Sequence, residues 1–366
     1  MSFSVFNKEK IDFKKEPLFF GQGRNIQEYA DPKYPNFVKL DEEMESLFWR
    51  PSEVSLQKDR VDFKAMSADP QFIFVANLQY QILLDSIQGR SPLLMLLPIV
   101  TNPELEACVI SWGFFEKIHS KSYTYMIRNL FADPSIILNP ILDIPEIIER
   151  AQSIGEYYDA ANVLIQQWIV DPDGIDKRAL YKAVYLALVC VNVLEGIRFY
   201  VSFACNFAFG ENKVMEGSSK IMGLIARDES KHLTITQQII RALASGSEGQ
   251  LWVDVIAESE QDAIEIFKLA AWQEKAWATY LFKNRSMLGL TESILHTYID
   301  HMVNKRMRAL KYTPAFPTTP NPLTWMDGWL NSRGVQEAPQ ETEKESYLIG
   351  KVDTNVSDDD FAEFQF

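Results

Sequence analysis

The sequence predicts an all-α protein, a bundle of about eight long helices. From about residue 35 to 310, apolar residues recur at helical spacing and the alternation typical of strands is scarce. One segment, 180–209, is apolar on nearly every side, which is typical of a helix buried in the middle of a bundle. Residue patterns that mark the start of a helix are also present. These three observations together favour helix packed on helix.

The helices can be followed in order. Residues 1–34 contain the breakers Gly21, Gly23 and Pro32, and we expect them to be irregular. The run Asn102-Pro103-Glu104 combines an N-cap residue, a proline at the first helical position and an acid in the first turn. That helix should end near Phe131, because Asp133-Pro134 follows. A turn cluster at 171–174 precedes the central helix 180–209, and further helices are predicted over 212–244, 250–284 and 288–310.

The composition changes after about residue 312. Four prolines fall close together there, so helices are expected to stop: Pro314, Pro317, Pro320 and Pro322. From 338 to 366 eight acids face two lysines, which indicates a flexible tail. Three phenylalanines nevertheless stand at its tip. We therefore divide the chain into an irregular segment 1–34, a helical domain 35–335 and an acidic tail 336–366.

Charge and composition exclude several classes of protein. The net charge of −14 disfavours nucleic-acid binding. Neither a secretory signal nor a clean apolar stretch of about 18 residues is present, so we expect no membrane span. Three cysteines without a CxxC pair indicate free buried thiols in a reducing compartment. We expect a cytoplasmic protein. The cysteines are Cys108, Cys190 and Cys205.

Two of the four histidines follow a glutamate by three residues, in Glu116-Lys-Ile-His119 and Glu229-Ser-Lys-His232. Residues three apart share a helix face, so each pair can offer a carboxylate and an imidazole to one point. A single ExxH is more often an ordinary surface pair. Both of these, however, lie in long and largely apolar helices.

Two further acids lie in apolar surroundings. Glu195 stands inside the central helix, and Asp85 ends the apolar run FIFVANLQYQILLD. Buried acids are rare without a partner. Two divalent cations would balance the four carboxylates, and this donor set suits iron or manganese. Two helices with one acid each and two with ExxH form the ligand plan of ferritin-like dimetal bundles. The sequence thus predicts a dimetal site in the bundle core.

One tyrosine suggests the chemistry of such a site. Tyr123 follows His119 by four residues and therefore projects from the same helix face. A phenol beside a dimetal–oxygen centre can lose an electron and a proton. Phe199, Phe203 and Ile225 could shelter the resulting radical from water. The alternative is a core tyrosine with a hydrogen-bonded hydroxyl.

Six runs of sequence resemble one known family in order and spacing, the radical-generating small subunit of class I ribonucleotide reductase. The resemblance extends from about Pro17 to the tail. The runs are FFGQ, FWRPSEVSLQKDR, LLDSIQGRSP, EKIHSKSYTYMIRN, NVLEGIRFYVSFAC and IARDESKHL.

The resemblance implies a role for each matching residue. Two irons, less often manganese, would be bound by Asp85, Glu116, His119, Glu195, Glu229 and His232. Tyr123 matches the radical tyrosine, Trp49 and Asp228 match the relay from His119 to the surface, and Tyr347 matches the tyrosine of the mobile tail.

The resemblance also implies partners. The radical forms with O₂ and an electron donor, and the tail passes it to the large subunit. That subunit, in a thioredoxin- or glutaredoxin-linked reaction, reduces ribonucleoside diphosphates to the deoxyribonucleotides needed for DNA replication. A homodimer is implied as well.

Three other functions compete with this interpretation. A dimetal oxidase or desaturase would share the ligands but would not need Tyr347 or an aromatic-tipped tail. An iron store of the ferritin type usually has a shorter four-helix core. A helical scaffold, in which acids and histidines merely satisfy each other, predicts no bound metal and buries four acids at high cost.

Overall fold

Long α-helices joined by short turns form most of the protein. The computed structural model describes residues 6–22 and 25–330. Across these ranges the only extended pairings are isolated bridges, Phe19 with Val100 and Met287 with Leu290. The helices are α1 (Pro35–Ser46), α2 (Gln57–Ala65), α3 (Ala68–Gln88), α4 (Ser91–Leu96), α5 (Pro103–Leu130), α6 (Ser135–Leu138), α7 (Pro145–Val170), α8 (Lys177–Val193), α9 (Tyr200–Glu211), α10 (Glu216–Ala244), α11 (Gln250–Glu258), α12 (Glu260–Phe282), α13 (Glu292–Ala309) and α14 (Met326–Leu330).

The predicted all-α class is confirmed, and so is the buried central helix. A π-helical segment, Leu194–Arg198, joins α8 to α9, so that Lys177–Glu211 is one helical run. This run is long and apolar enough to cross a membrane, but every residue from 184 to 210 is buried in the protein. Helices α7, α10, α11 and α12 pack against its α8 part. It is a core helix of the bundle.

Capping groups fix where the two motif helices begin. The Asn102 carboxamide oxygen accepts a hydrogen bond from the Leu105 amide at 3.1 Å, so α5 begins at Pro103 as predicted. Helix α10 is capped by a residue of another helix. The Asp59 carboxylate of α2 accepts hydrogen bonds from the amides of Gly217 (3.0 Å) and Ser218 (2.6 Å). These contacts satisfy amides that have no partner within the first turn of a helix.

Two predicted boundaries differ from the structure. The helix expected over 250–284 is divided at Ser259. Its amide donates to the carbonyls of Val255 and Ile256 and closes α11, while its own carbonyl accepts from Ala263 in the first turn of α12. Beyond the proline-rich stretch, α14 forms one further helical turn. Helix formation resumes there because the last of the four prolines, Pro322, has been passed.

Helices α3, α5 and α10 pack in a row that ends at the π-helical segment, and this packing places the predicted acids in one region. Helix α3 packs on α5, α5 packs on α10, and α10 packs on the segment itself. The face of each helix that carries an ExxH pair or a single acid is therefore directed toward the core. This packing is the ferritin-like arrangement in which side chains from facing helices build a common site.

Candidate metal centre

Four helical elements bring the six predicted ligands together. Every one of these side chains is at most 1% exposed. They form two groups of four whose possible ligand atoms lie within 4.8 Å of one another. The first group is Asp85, Glu116, His119 and Glu229, and the second is Glu116, Glu195, Glu229 and His232.

Glu116 and Glu229 belong to both groups and lie between the two imidazoles. Nδ1 of His119 is 3.2 Å from Oε1 of Glu229 and 3.7 Å from Oε2 of Glu116. Nδ1 of His232 is 3.3 Å from a carboxylate oxygen of each of the two glutamates. Two shared carboxylates between two histidine-containing groups are the arrangement that a pair of bridged cations requires. Each i,i+3 pair shares one helix face, as its spacing predicts, and the packing of the helices turns both faces toward the same point.

Unpaired buried atoms test whether metal ions fit this site. One oxygen of each glutamate and Nε2 of His232 are buried and make no hydrogen bond with any residue in the described ranges. The buried Asp85 carboxylate has no hydrogen-bonding neighbour there other than the Tyr123 hydroxyl. Four carboxylates in a region without solvent carry a charge that the two imidazoles cannot balance. Two divalent cations supply the missing +4 and the missing ligand contacts. The donor set, carboxylate oxygen with imidazole nitrogen, fits iron and manganese.

Burial governs the pKa values within the centre. Burial, together with the charges of nearby carboxylates, raises the pKa of Asp85 and of Glu195 well above the usual range. Burial acts on Glu116 as well, but hydrogen bonds to His119 and His232 outweigh it and lower the pKa of that carboxyl to about 2. Cations bind the ionised form of a carboxyl and take the place of its proton, so they favour the charged state at all of these positions.

A second contact of His119 leads from the centre toward Trp49. Nε2 of His119 is 3.2 Å from Oδ2 of Asp228, and the Trp49 indole N–H donates to the same oxygen at 2.8 Å. The other oxygen of Asp228 accepts from the Arg227 guanidinium at 2.9 and 3.1 Å. A carboxylate on Nε2 places the imidazole proton there and leaves Nδ1 free to bind a metal. The structure therefore brings Trp49, Asp228 and His119 into one hydrogen-bonded chain.

Tyr123 lies in the interior one turn beyond His119. Its side chain is 1% exposed, and its hydroxyl has no hydrogen-bonding neighbour in the described residues other than the Asp85 carboxylate. Burial, and next the charge of Asp85, raise the pKa of its phenol well above the usual value. The phenol is therefore held protonated and dry.

The three residues predicted to shelter Tyr123 are all buried. Phe199 follows the π-helical segment, and its ring lies 5.9 Å from that of Phe203, one turn further along α9. Ile225 is buried on α10, one turn before Glu229. Tyr347, the tail residue predicted to carry the radical onward, lies outside the described residues.

Comparison with known proteins decides the family. The family model for the ribonucleotide reductase small chain matches residues 27–322. The chain belongs to this family. A ribonucleoside-diphosphate reductase subunit beta of Buchnera aphidicola from Acyrthosiphon pisum is 48% identical, with 100% of both chains covered. The chain is thus a subunit of an oxidoreductase, and its small-chain character implies a large-subunit partner.

Solved structures show that the fold is shared. The ribonucleotide reductase R2 subunit of Clostridium botulinum superposes with a TM-score of 0.78 at 24% identity, covering 90% of this chain and 98% of that one. The dimanganese(II) NrdF protein of Streptococcus sanguinis gives a TM-score of 0.66 at 20% identity, covering 85% and 98%. These likenesses agree with the ferritin-like bundle described above.

The small chain also contains contacts that the sequence did not predict. Nε2 of Gln88 donates to Oε1 of Glu195 at 2.6 Å. The Tyr158 hydroxyl donates to the side-chain carboxamide oxygen of Gln88 at 2.8 Å. These two hydrogen bonds orient Glu195, the acid that the π-helical segment contributes to the centre. Gln88 follows Asp85 by three residues, a spacing that could have singled it out. No pattern in the sequence could have identified Tyr158.

Trp112 is a further neighbour of the small-chain centre. Its indole N–H donates to Oε1 of Glu116 at 3.0 Å, and its ring lies roughly parallel to that of His232 at 5.4 Å. It precedes Glu116 by four residues, so the helical spacing carried a signal for it. The contact orients one of the two shared carboxylates, as groups around a metal ligand commonly do.

Proposed function

We propose that this chain is the radical-generating subunit of a class I ribonucleotide reductase. The six predicted ligands would hold a dinuclear iron centre, whose reaction with O₂ would supply the oxidising power to turn Tyr123 into a stable tyrosyl radical. The radical is passed to the large subunit, which reduces ribonucleotides to deoxyribonucleotides. The observation that carries the proposal is the pair of overlapping ligand groups sharing Glu116 and Glu229, with the buried Tyr123 phenol one helical turn from His119.

The six acidic and imidazole side chains would hold the two metal ions. Manganese has the same preference for these donors, and the Streptococcus sanguinis relative contains manganese. We propose iron because the family that the six motif runs resemble binds iron more often than manganese. When bound, the metal pair supplies two of the four electrons that reduce O₂ to the level of water. Tyr123 gives one electron, and an external donor gives the fourth.

Trp49 would carry that external electron inward and, during turnover, the oxidising equivalent outward. Oxidation of an indole makes its N–H strongly acidic. Oδ2 of Asp228, 2.8 Å away, can take that proton and return it. The Arg227 guanidinium pairs with the opposite oxygen and keeps Asp228 in position. The proton thus stays within a buried hydrogen bond while the electron moves.

The surroundings of Tyr123 would set the lifetime of the radical. Phe199, Phe203 and Ile225 have no ionisable groups and exclude water, so no nearby donor reduces the phenoxyl by accident. This role requires burial, and all three side chains are 0% exposed. The cofactor supplies the oxidising power, and the protein supplies shielding and orientation.

The acidic tail would deliver the radical to the large subunit through Tyr347 and its aromatic end. A chain ending at Val335 should bind metal and form the radical as the full chain does, but should form no deoxyribonucleotide when mixed with a large subunit. The measurement is product formation from a ribonucleoside diphosphate, with the radical counted separately by electron paramagnetic resonance. Undiminished turnover by the shortened chain would remove the tail from the mechanism. An oxidase acting on its own substrate would also be unaffected by the truncation.

A homodimer would cover an apolar patch at the end of α1 and on α5. The patch consists of Phe48, Ile110 and Phe114, which are 45%, 49% and 40% exposed. The rings of Phe48 and Phe114 lie 5.9 Å apart, and Ile110 is one turn from Phe114. Clustered large apolar groups on a surface indicate an interface, and the commonest oligomer is a two-fold dimer.

Replacing Phe114 by glutamate is expected to convert the dimer to a monomer. An unpaired charge buried in an interface costs on the order of several kcal/mol, and a two-fold interface contains it twice. Light scattering after size exclusion gives the mass directly. Val163→Glu on α7, where the valine is 54% exposed outside the patch, is the matched control and should remain dimeric. A dimeric Phe114→Glu protein would place the interface elsewhere.

We also propose that the protein works in the cytoplasm. All three cysteines are buried free thiols, which suits a reducing compartment.

A further inference from the structure

The π-helical segment determines where one of the proposed ligands lies. Leu194–Arg198 interrupts the regular α-helical turns of the core helix, and Glu195 is its second residue. A π turn is wider than an α turn and changes the direction of the side chains on it. Such segments are rare and persist mainly at functional sites, where other contacts hold them. The segment contains no proline, so the contacts around it must account for its shape.

One of those contacts comes from Arg306 of α13. Its Nε donates to the carbonyl oxygen of Gly196 at 3.0 Å, and its Nη2 donates to the Tyr200 hydroxyl at 2.6 Å. A Cβ added at Gly196 would lie 3.1–3.2 Å from Nε, Cδ and Cγ of this arginine. The arginine side chain therefore fills the space beside the glycine. It ties the backbone next to Glu195 to a helix outside the metal centre.

Other contacts hold the opposite end of the segment. Arg198 donates to the Gln273 carboxamide oxygen at 2.7 Å and to the Ser153 hydroxyl at 3.1 Å. The Glu195 carboxylate is itself held by Gln88. Two residues that follow Glu195, Gly196 and Arg198, are thus tied to neighbouring helices, the first through Arg306 of α13 and the second through Gln273 of α12. Of these two arginines, as far as the structure describes the chain, Arg306 is the one that donates to the backbone of the residue directly after Glu195.

We propose that Arg306 is a positioning residue that holds the π-helical segment in place and thereby aims the Glu195 carboxylate at the metal pair. This inference rests on the proposed dinuclear centre. It has a selective consequence. Glu195 belongs only to the group that contains His232, whereas the group with Asp85 and His119 does not depend on it. Loss of the Arg306 contact should therefore weaken one metal position and spare the other.

Binding of Mn(II) to the metal-free full-length chain tests this. Free Mn(II) is counted by its six-line electron paramagnetic resonance spectrum, and two adjacent bound ions give a broad, exchange-coupled signal instead. The parent is expected to bind two ions per chain. Arg306→Met should bind the first ion normally and the second about 10–100-fold more weakly, the usual effect of losing a group that orients a ligand. At the Mn(II) concentration that fills both positions of the parent, Arg306→Met should lack the broad, exchange-coupled signal of two adjacent ions.

Conservative and matched variants separate positioning from general stability. Arg306→Lys should recover part of the affinity for the second Mn(II) ion, because one donor can still reach the Gly196 carbonyl. Gly196→Ala, which displaces the guanidinium without removing its charge, should reproduce the selective loss. Two variants should match the parent. They are Tyr200→Phe, which removes only the second contact, and Arg308→Met, which alters an exposed arginine on the same helix.

The possible outcomes distinguish a failure of the proposed metal centre from a failure of the proposed role of Arg306. A parent that binds no pair of ions would contradict the proposed metal centre itself. A parent that binds two ions, with Arg306→Met and Gly196→Ala binding both as tightly, would overturn the role of Arg306. Equal weakening of both positions, with a lowered unfolding midpoint in Arg306→Met, would also overturn it, since that result indicates a general structural role.

Discussion

Replacing Tyr123 by phenylalanine is expected to abolish ribonucleotide reduction and leave metal binding intact. The hydroxyl has no hydrogen-bonding neighbour in the described ranges other than Asp85, so its removal should cost little stability and leave the six ligands in place. A phenyl ring cannot be oxidised in the same way as a phenol. Turnover with a large subunit should therefore fall to background, roughly 10³-fold or more below the parent. Two metal ions per chain should still bind.

Tyr125→Phe is the matched control for this prediction. Tyr125 lies two residues further along α5, and its hydroxyl donates to the Val54 carbonyl outside the centre at 2.9 Å. Its loss should leave radical yield and turnover close to those of the parent. Retained turnover in Tyr123→Phe would show that another side chain carries the radical. Loss of metal together with turnover would instead make Tyr123 a structural support of the site.

Replacing Trp49 by phenylalanine is expected to separate radical formation from turnover. The substitution removes the indole N–H that donates to Asp228 and leaves a ring that is much harder to oxidise. Asp228 keeps its contacts with Arg227 and His119, so the metal centre should remain assembled. With a small soluble reductant to supply the external electron, the Tyr123 radical should form. Turnover with a large subunit should fall by roughly 10³-fold or more.

The surface residue Trp272 provides the control for this second substitution. It is 61% exposed on α12, and Trp272→Phe should change neither radical yield nor turnover. Full turnover by Trp49→Phe would exclude the hydrogen-bonded chain through Asp228 as the radical route. Failure to form any radical, with both metal ions bound, would restrict Trp49 to electron supply during activation.

Local periodicity explains why the metal centre could be predicted. The i,i+3 spacing of Glu116 with His119 and of Glu229 with His232 fixes each pair on one helix face regardless of the rest of the fold. Glu195 was identified because a carboxylate inside an apolar helix needs a partner. The meeting of these helices at one point followed only from the ligand plan of a known class of bundle. The structure confirms that they meet.

Contacts between helices explain what could not be predicted. Arg306 and Tyr158 are distant in sequence from the residues they support, and their spacing carries no signal. The π-helical segment depends on its neighbours rather than on a propensity of the run LEGIR. The chain of Trp49, Asp228 and His119 was expected from family resemblance alone. Periodicity could not have connected residues on three different elements.

The most direct test of the central claim is the electron paramagnetic resonance spectrum of the full-length chain after addition of Fe(II) and then O₂. Two samples are compared, one with ordinary tyrosine and one with ring-deuterated tyrosine incorporated. A radical signal whose hyperfine splitting narrows on deuteration, and which is absent from Tyr123→Phe, is the predicted result. A chain that binds two metal ions but gives no such signal, with an added electron donor and with Mn(II) also tried, would contradict a radical on Tyr123.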